Sequence, residues 1–427
     1  MFMENIEAAT TRELLRNKIV KILSLLLLIR LGLYIPIPKV DLDILSQSGN
    51  VNSIFGFAKN LTGSSFLGLG SLGILPYINA SIVIQLLTPV IPALEKLQKE
   101  EGELGREQIT KYTRYLTFVW ALAISTGVAF ALVKPVTFNW DLSVALEVIL
   151  SLTTGSMLSM WFAELITEEK LGNGSSMIIF INIIGGIPAE LNKTQFFANE
   201  SSFLNNLVTT GESLLIYFFI VLIVIVFQDA YKRIDIISAK QLSFTNSNQS
   251  QDLSELKSSF IPLKINLGGI MPLVFSSTVS AILVYPVQAL FATIASAGIL
   301  SQVVPFYSFA LNVTLIVFFS CFYAVIVLKP GDISQNLAKS AYTIPGVRQG
   351  DTTTKYLEQT INRLSFMGGL FLAFLAFSPL VIGNLFQLRL FRNITSLLIL
   401  IGVITDVTSQ IQGYLVSQKY ETFKKAS

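Results

Sequence analysis

The chain has 427 residues, of which 52% are hydrophobic and only 13% are charged, and its mean hydropathy is +0.63. This composition predicts a membrane protein with several spans and excludes an ordinary soluble protein. A single cysteine excludes an internal disulfide, and the lack of histidine excludes His-based acid–base catalysis and His-ligated metal sites. The net charge of +3 is too small to indicate direct binding of nucleic acid.

Apolar runs separated by polar or Pro- and Gly-containing stretches predict ten membrane spans. They are predicted at 19–35, 74–92, 115–133, 144–166, 175–187, 214–227, 267–290, 307–328, 364–385 and 394–416. The first run is followed by PIPKVD rather than by a small-residue cleavage site, so we expect a retained span and not a signal peptide. The expected fold class is therefore all-α and polytopic.

Two unlike pieces follow the first span. Residues 54–72 are apolar but too broken by Gly, Ser and Asn to cross a bilayer, and their large side chains are Phe55, Phe57, Leu61, Phe66 and Leu67. We expect this piece to lie inside protein. The piece at 74–92 carries polar side chains at helical spacing, namely Asn79, Ser81, Gln85 and Thr88. At membrane depth such groups face a cavity or another segment, which predicts a half-helix beside a pore or a binding site.

Lys and Arg are distributed unequally between the two sides of the predicted spans. The side of the N-terminus carries 23 of them, the opposite side carries six, and Arg30 lies inside the first span. By the positive-inside rule, both termini face the compartment in which the protein is made. The long loops at 93–113, 229–266 and 329–362 lie on that same side. They are either orientation signals alone or a docking surface for a soluble partner.

A faint internal repeat joins the second and seventh spans. Residues 73–81 read GILPYINAS, and residues 269–277 read GIMPLVFSS. Because each half then contains five spans, an odd number, the halves 1–191 and 192–427 are expected to be inverted in the membrane. Inverted repeats with Gly- and Pro-interrupted spans in matching positions point to a central pathway between the halves.

Few ionisable side chains lie within the predicted spans. Arg30 either pairs with Asp406 of the last span or extends to the interface, and Glu164 and Glu168 indicate an interfacial charge cluster. The LGNGS stretch at 171–175 lacks the Lys-Ser/Thr of a phosphate loop, so it predicts a turn that starts the fifth span abruptly. We find no nucleophile with a base and no metal-ligand spacing, so neither enzymatic activity nor a cofactor is expected.

Branched apolar side chains recur at matching depths in the predicted spans. They are Ile74, Ile78, Ile179, Val274 and Ile399. A ring of such side chains could close a pore against ions and water while remaining deformable. Ordinary core packing is the alternative, and periodicity alone favours it.

Longer stretches carry a specific resemblance to a known family. In chain order they are RLGLYIPIP at 30–38, GILPYINASIVIQLLT at 73–88, KEEGELGREQITKYTRY at 99–115 and ELITEEKLGNGSSMIIF at 164–180. Later come IPLKINLGGIMP at 261–272, KPGDISQNLAKSAYTIPGVRQG at 329–350 and TSLLILIGVITDVTSQIQ at 395–412. Together they resemble the SecY family, the central subunits of Sec protein-conducting channels, over nearly the whole chain.

The resemblance implies an architecture that spacing alone does not give. It implies two five-span halves around an hourglass channel, with residues 54–72 folded back as a plug. The five branched residues match the family's constriction ring, in which Val274 replaces a common isoleucine. A lateral gate is implied between the second and third spans and the seventh and eighth, with Gln85 and Asn266 in its polar cluster.

The resemblance also implies partners. Arg348, Arg233 and Lys240 match basic positions that the family uses for a SecA motor ATPase or a ribosome, and we place Arg106 of the 93–113 loop with them. A second basic cluster of the family appears here as SFTNSNQS at 243–250, which weakens the docking expected at that tip. A SecE subunit, possible SecG subunit, preproteins with signal sequences and membrane lipids complete the implied partners.

The implied function is a protein-conducting channel that translocates unfolded preproteins and releases hydrophobic segments laterally into the membrane. A secondary transporter with inverted repeats is the alternative, and it requires a polar substrate site at the midplane. The Ile-, Asn- and Phe-rich composition, the short C-terminal tail and the lack of histidine resemble plastid-encoded algal members. That resemblance implies a thylakoid membrane with both termini in the stroma; a bacterial plasma membrane is the alternative.

Overall fold

The structure is a computed structural model that describes residues 2–37, 68–99, 102–134, 137, 140–193, 215, 218–238, 259–269, 271–276, 279–280, 300–386 and 394–426. Several residues singled out above lie outside the described ranges. They are the predicted plug residues Phe55, Phe57, Leu61, Phe66 and Leu67, and the predicted docking residue Lys240.

The described chain is mostly helical, as the sequence predicts. Its first six helices are α1 (Phe2–Gly32), α2 (Leu75–Leu87), α3 (Pro92–Lys99), α4 (Gly102–Val128), α5 (Leu142–Glu168) and α6 (Gly174–Lys193). They are followed by α7 (Phe218–Asp229), α8 (271–276), α9 (Leu300–Leu328), α10 (Pro330–Lys339), α11 (Asp351–Phe386) and α12 (Ile394–Ala426). Three strands, β1 (Tyr231–Ser238), β2 (Ser259–Lys264) and β3 (Tyr342–Thr343), complete the fold.

Several of these helices match membrane spans in length and hydropathy. Within the described residues, four stretches are long and apolar enough to cross a membrane: Leu142–Glu168, Phe309–Lys339, Asp351–Ser378 and Leu398–Val416. The pair α2 and α3 meets the same criterion jointly but is bent by 101° at its break, as in a broken span or a re-entrant loop. A multi-pass membrane protein is thus confirmed, whereas the count of ten spans stays a prediction.

By spatial proximity the chain divides into two compact units. Unit 1 comprises Met1–Glu212 and Ser396–Ser427, and unit 2 comprises Ser213–Thr395. The inverted halves 1–191 and 192–427 stay a prediction. Grouping by proximity places the last helix in unit 1, and it does not test the direction in which each helix crosses the membrane.

In unit 1, α4 and α5 approach each other through small and hydroxyl side chains. The buried face of α4 consists of Gly105, Thr113, Thr117, Ala121 and Ser125. The hydroxyls of Ser125 and Thr153 lie 3.0 Å apart and form a hydrogen bond between the two helices. The hydroxyl of Thr117 instead donates within α4, to the carbonyl oxygen of Thr113 at 2.7 Å. In a membrane, close packing and such hydrogen bonds replace the hydrophobic effect as the source of helix association.

The predicted turn at 171–175 is confirmed, and it lets α6 begin abruptly. Asn173 Oδ1 accepts hydrogen bonds from the backbone nitrogen of Ser175 at 3.1 Å and from its hydroxyl at 2.7 Å, so Asn173 caps α6. Gly174 donates its backbone N–H to Thr167 Oγ1 at 2.9 Å. A Cβ at Gly174 would overlap the carbonyl oxygen of Ala163, which explains why glycine stands there.

In unit 2, the stretches 229–266 and 329–362 are predicted as loops, but the structure differs. The described ends of the first stretch form β1 and β2, and the second contains α10, β3 and the first turns of α11. The strand order is β2-β1-β3, with antiparallel pairing of Ile234 to Ile261 and of Ser238 to Tyr342. The sheet closes a hydrophobic cluster made of Ile234, Ile236, Leu263, Ala324, Ile344, Leu357 and Ile361. The alternation of Ile234 and Ile236 with charged neighbours is the period of a half-buried strand, and it was the missed signal.

The helices α9 and α11 form the main helix pair of unit 2. A Cβ at Gly369 of α11 would lie 3.1 Å from the Cα of Val317 and 3.0 Å from the Cβ of Ser320, so the helices are in close contact. Ser320 Oγ donates to the carbonyl oxygen of Ser365 at 3.0 Å. The ring of Phe371 also stacks on Phe227 of α7, with 3.5 Å between the ring centroids.

Candidate functional site

The five residues predicted to form a constriction ring are all buried. In unit 1 the exposed fractions are 2% for Ile74, 3% for Ile78, 6% for Ile179 and 3% for Ile399. Ile74 immediately precedes α2, and its carbonyl oxygen accepts the backbone N–H of Ile78 at 3.1 Å, so the two side chains lie one turn apart on one face. In unit 2, Val274 of α8 is 3% exposed. The convergence of all five on one ring stays a prediction.

Residues 68–74, which we call the lead-in segment, connect the end of α1 to the start of α2. Gly68 forms an isolated β-bridge with Pro36, and Leu69 donates its N–H to the carbonyl oxygen of Ile35 at 2.9 Å. Gly70 donates to the carbonyl oxygen of Gly32 at 3.2 Å. The chain then turns at Gly73, whose φ of 54° is left-handed, and enters α2. Ile74 and Ile78 are therefore placed by the lead-in segment.

Residues 68–72 of the predicted plug stretch thus lie against the end of α1. Leu72 is 6% exposed and belongs to a cluster with Ile37, Ala129, Val133, Val144, Val148 and Leu152. Burial inside protein is what the sequence analysis expected for this apolar but broken stretch. For the rest of the stretch, 54–67, the plug stays a prediction outside the described residues.

The two predicted gate residues differ in exposure. Gln85 lies in the last turn of α2 with an exposed side chain, and its Nε2 donates to Ser81 Oγ at 3.2 Å. Asn266, two residues after the end of β2, is 7% exposed, and its Oδ1 accepts no hydrogen bond from the described protein. Their membership of one gate stays a prediction.

The predicted docking residues inside the described ranges are all exposed. Arg106 lies in the first turns of α4 and Arg348 in the turn between β3 and α11. On the outer face of the sheet, Arg233 donates from Nη2 to the hydroxyl of Tyr231 at 3.0 Å and lies 5.0 Å from the ring centroid of Phe260. These contacts hold one guanidinium in a fixed position on a surface that also offers exposed aromatic rings.

The half-helix α2 carries its polar residues as expected, and one of them is buried. Asn79 is 5% exposed, and its Oδ1 accepts no hydrogen bond from the described protein. Thr88, in contrast, donates to the carbonyl oxygen of Ile84 at 2.7 Å. A buried amide oxygen without a donor costs about 1–3 kcal/mol, so Asn79 is an unfavourably buried polar group next to Ile78.

An ion pair that the sequence analysis did not predict joins α4 to α5. Arg114 meets Glu164 with two bonds, Nε to Oε1 at 3.0 Å and Nη2 to Oε2 at 2.8 Å. The hydrogen bond with Glu164 raises the pKa of the Arg114 guanidinium, because it stabilises the charged form. The available signal was positional, since Arg114 directly precedes the third predicted span and Glu164 lies in the last turn of the fourth, at the same side of the membrane. The predicted charge cluster at Glu164 therefore has a defined partner.

Basic side chains of α1 connect three elements of unit 1. Lys21 forms an ion pair with Glu169, and Lys18 donates to the carbonyl oxygen of Glu169 at 3.1 Å. The Lys18 ammonium also lies 5.3 Å from the ring centroid of Tyr414 in α12. These contacts join α1 to the turn before α6 and to α12.

Arg30 lies in the last turn of α1, and its guanidinium occupies the space that a side chain at Gly185 of α6 would need. It also lies 5.9 Å from the ring centroid of Tyr34. The last turn of a helix is a favourable place for a cation, because backbone carbonyls accumulate negative charge there. The alternative pairing with Asp406 stays a prediction.

Comparison with known proteins places the chain among relatives along most of its length. The model of the SecY family matches residues 69–408. A protein translocase subunit SecY from Emiliania huxleyi is 63% identical over 424 residues, which cover 98% of this chain and 100% of that protein. A solved protein conducting channel superposes with a TM-score of 0.64 at 17% identity, over 94% of this chain and 93% of that chain. Sec61 in a canine ribosome-channel complex from the endoplasmic reticulum gives a TM-score of 0.59 at 17% identity, over 94% and 93%.

Proposed function

The chain belongs to the SecY family, and on this premise we propose that it is the central subunit of a protein-conducting channel. It moves unfolded preproteins across a membrane and releases hydrophobic segments sideways into the lipid. The observation that carries the proposal is the match of the SecY family model to residues 69–408, a range that includes all five proposed ring residues from Ile74 to Ile399. Their burial agrees with a closed apolar ring. A transporter of small solutes requires convergent polar groups at that depth instead.

A ring of branched apolar side chains suits cargo of any sequence. Since each preprotein differs, specific hydrogen bonds from the pore would hold some chains and reject others. Isoleucine and valine side chains exclude water and ions, yet they bind nothing tightly and give way to different side chains. Ile74 and Ile78, the two proposed ring residues at the start of α2, follow the lead-in segment. Backbone hydrogen bonds join that segment to the end of α1, so they fix the position of this part of the ring.

Gln85 and Asn266 supply the polar part of the proposed lateral gate. Polar contacts between membrane helices are worth only about 0.6–2 kcal/mol, so a gate closed by them opens easily. A signal sequence replaces these contacts with partitioning into lipid, which gains roughly 0.3–0.6 kcal/mol for each central Leu, Ile, Phe or Val. The buried Oδ1 of Asn266, which accepts no hydrogen bond from the described protein, supports the assignment. A new hydrogen-bond donor would lower the free energy of such a group.

Partners provide the energy in this proposal. The chain offers no phosphate-binding loop in its sequence, so a SecA motor ATPase or a translating ribosome drives the cargo. Exposed Arg106, Arg233 and Arg348 and the outlying Lys240 form the docking surface. A SecE subunit and a SecG subunit complete the membrane assembly. The canine ribosome-channel complex, which shares the fold, supports a ribosome as one of these partners.

We place the channel in the thylakoid membrane, with both termini and the docking surface in the stroma. The proposal rests on the high identity with the protein from Emiliania huxleyi, an alga, and on the excess of basic residues on the side of the termini. A bacterial plasma membrane is the alternative location.

The direct test of the proposed function is the ion conductance of the purified protein in planar bilayers. Replacement of Ile78 and Ile179 by alanine removes bulk from the proposed ring, so we expect ions to leak through the resting protein. The control replaces Ile22 and Ile166, which are as deeply buried in unit 1, by alanine. A leak from the control pair equal to that from the ring pair, or no leak from either, contradicts a channel sealed by this ring.

A further inference from the structure

Gly155 of α5 lies directly under the backbone of the lead-in segment. A Cβ at this position would overlap the carbonyl oxygen of Leu69, and it would lie 2.6 Å from the carbonyl carbon of Leu69 and 3.3 Å from the nitrogen of Gly70. All three are backbone atoms, so none of them can rotate away as the end of a flexible side chain does. Only glycine lets the lead-in segment rest on α5 at this distance.

The lead-in segment is equally close to the backbone that directly follows α1. A Cβ at Gly68 would overlap the carbonyl oxygen of Leu33 and lie 2.9 Å from its carbonyl carbon. The backbone hydrogen bonds from Leu69 to Ile35 and from Gly70 to Gly32 keep this contact. The backbone of the lead-in segment is therefore closely packed against both neighbours. A side chain at position 155 would displace this segment or the end of α1.

Among the described residues, the lead-in segment continues directly into α2. Ser71, Leu72 and Ile74 are 8%, 6% and 2% exposed, so the segment stays buried up to the start of α2. Gly73 donates its N–H back to the carbonyl oxygen of Gly70 at 2.8 Å, which makes the turn into α2 a tight one. Displacement of Leu69 is therefore passed on to Ile74 and, through the first turn of α2, to Ile78.

We propose that Gly155 is a positioning residue of the pore ring. By leaving room for the Leu69 carbonyl, it sets the depth at which Ile74 and Ile78 enter the ring and hence the seal of the resting channel. The inference rests on the proposed function, because it takes the two isoleucines to be ring members.

Two other glycines provide a graded series of alanine variants. A Cβ at Gly70 would be tight against the side-chain atom Cδ2 of Leu33 at 3.3 Å, which can give way by a few tenths of an ångström. The carbonyl carbon of Gly32 and the nitrogen of Leu33, both at 3.4 Å, would be ordinary van der Waals contacts. A Cβ at Gly127 of α4 would meet nothing within 4 Å. Gly127→Ala is thus a matched control for Gly155→Ala, because both replace a glycine inside a helix.

The test measures two quantities on the full chain in planar bilayers and in membranes. The first is the resting ion conductance of Gly155→Ala, Gly70→Ala and Gly127→Ala. The second is the rate at which a water-soluble maleimide alkylates the cysteine of Ile78→Cys. These chains also carry Cys321→Ser, which removes the native thiol. The second readout reports the position of the ring residue itself, which a general loss of stability in detergent does not change.

We expect Gly155→Ala to raise the resting conductance by roughly tenfold and to change the alkylation rate, because overpacking against backbone shifts the resting equilibrium. Gly70→Ala should give a smaller rise and Gly127→Ala none. Gly155→Ala that inserts normally and changes neither quantity overturns the proposal. If that variant does not accumulate, Gly70→Ala decides: a conductance equal to that of Gly127→Ala overturns the proposal.

The proposed function has its own separate outcome. If alanine at Ile78 and Ile179 gives no leak, the ring is absent and the proposed function fails. If that pair leaks while Gly155→Ala behaves as Gly127→Ala, the ring stands and only the role of Gly155 fails.

Discussion

Asn266 combines burial with an amide oxygen that receives no hydrogen bond from the described protein. Such a group costs about 1–3 kcal/mol, and a leucine of similar size avoids that cost. Gln85, its proposed gate partner, is exposed, and among the described residues its side chain donates a hydrogen bond to Ser81 of its own helix. At the scale of single residues, this asymmetry suits a gate whose closed state is only weakly favoured.

We therefore expect leucine at both Gln85 and Asn266 to stabilise the closed gate. Signal sequences would then need more apolar residues to open it, by roughly two to five leucines for each 1.4 kcal/mol of added closure. The measurement is translocation of preproteins with signals of graded hydrophobicity into vesicles that contain the channel. Leucine at the exposed Gln359 of α11 is the control. Unchanged export of weakly apolar signals by the double variant contradicts the gate assignment.

The ion pair of Arg114 and Glu164 makes a second prediction at this scale. Glu164 is 12% exposed in its side chain, whereas Arg114 is 49% exposed, so water screens the pair in part. We expect Glu164→Gln to lower the free energy of unfolding by about 1 kcal/mol and Glu168→Gln to lower it by much less. Thermal unfolding in detergent measures both. An equal effect of the two variants shows that the paired geometry contributes nothing beyond local charge.

Among the elements, the turn before α6 is fixed by one close approach. Alanine at Gly174 would place its Cβ on the carbonyl oxygen of Ala163, while alanine at Gly413 of α12 meets nothing within 4 Å. We expect Gly174→Ala to cost about 1–3 kcal/mol of stability through overpacking and Gly413→Ala to be neutral or slightly stabilising. Thermal unfolding of the two variants checks this. A tolerated Gly174→Ala means that α5 and α6 are not held as close as the structure has them.

The three-stranded sheet supports the proposed docking residue Arg233 of unit 2. Ile234 is 4% exposed in its hydrophobic cluster, whereas Asp235 points to the opposite, exposed face. We expect Ile234→Ala to cost about 2–4 kcal/mol and to weaken motor binding, since Arg233 loses its support. Asp235→Ala should leave stability unchanged. Motor binding to vesicles and limited proteolysis of 229–266 measure the two effects. If Ile234→Ala makes the sheet sensitive to protease but leaves motor binding unchanged, the sheet does not support the docking residues.

The elements differ in how far the sequence predicts them. Hydropathy and turn chemistry act over neighbouring residues, so the helices of most spans and the turn at 171–175 follow from the sequence alone. The sheet does not, because β1 pairs with β3 across more than a hundred residues, and only tertiary folding brings Ser238 to Tyr342. In the same way, Gly155 looks like any small residue of a membrane helix until the lead-in segment is placed above it.

On the scale of the whole molecule, burial alone does not separate a pore ring from an ordinary core. Ile78 at 3% exposed and Ile22 at 6% are alike in this respect. The match to the SecY family distinguishes Ile78, because it implies a ring position for this residue. The helix α2 is also unusual, since it follows a glycine turn and the pair α2 and α3 is bent by 101° at its break. The residues of the proposed ring are predicted through the resemblance, and their convergence stays a prediction, whereas the contacts of the lead-in segment could not be predicted from the sequence.

The central claim, that an arbitrary polypeptide passes through a collar of five apolar side chains, is tested most directly by cross-linking to a stalled preprotein. A preprotein with one cysteine in its middle is arrested in transit, and single cysteines replace Ile74, Ile78, Ile179, Val274 or Ile399 in a chain that carries Cys321→Ser. The account predicts disulfides from all five positions to the arrested chain and none from cysteine at the equally buried Ile22 or Ile316. Cross-links from the two controls as strong as those from the five, or none from the five, would contradict it.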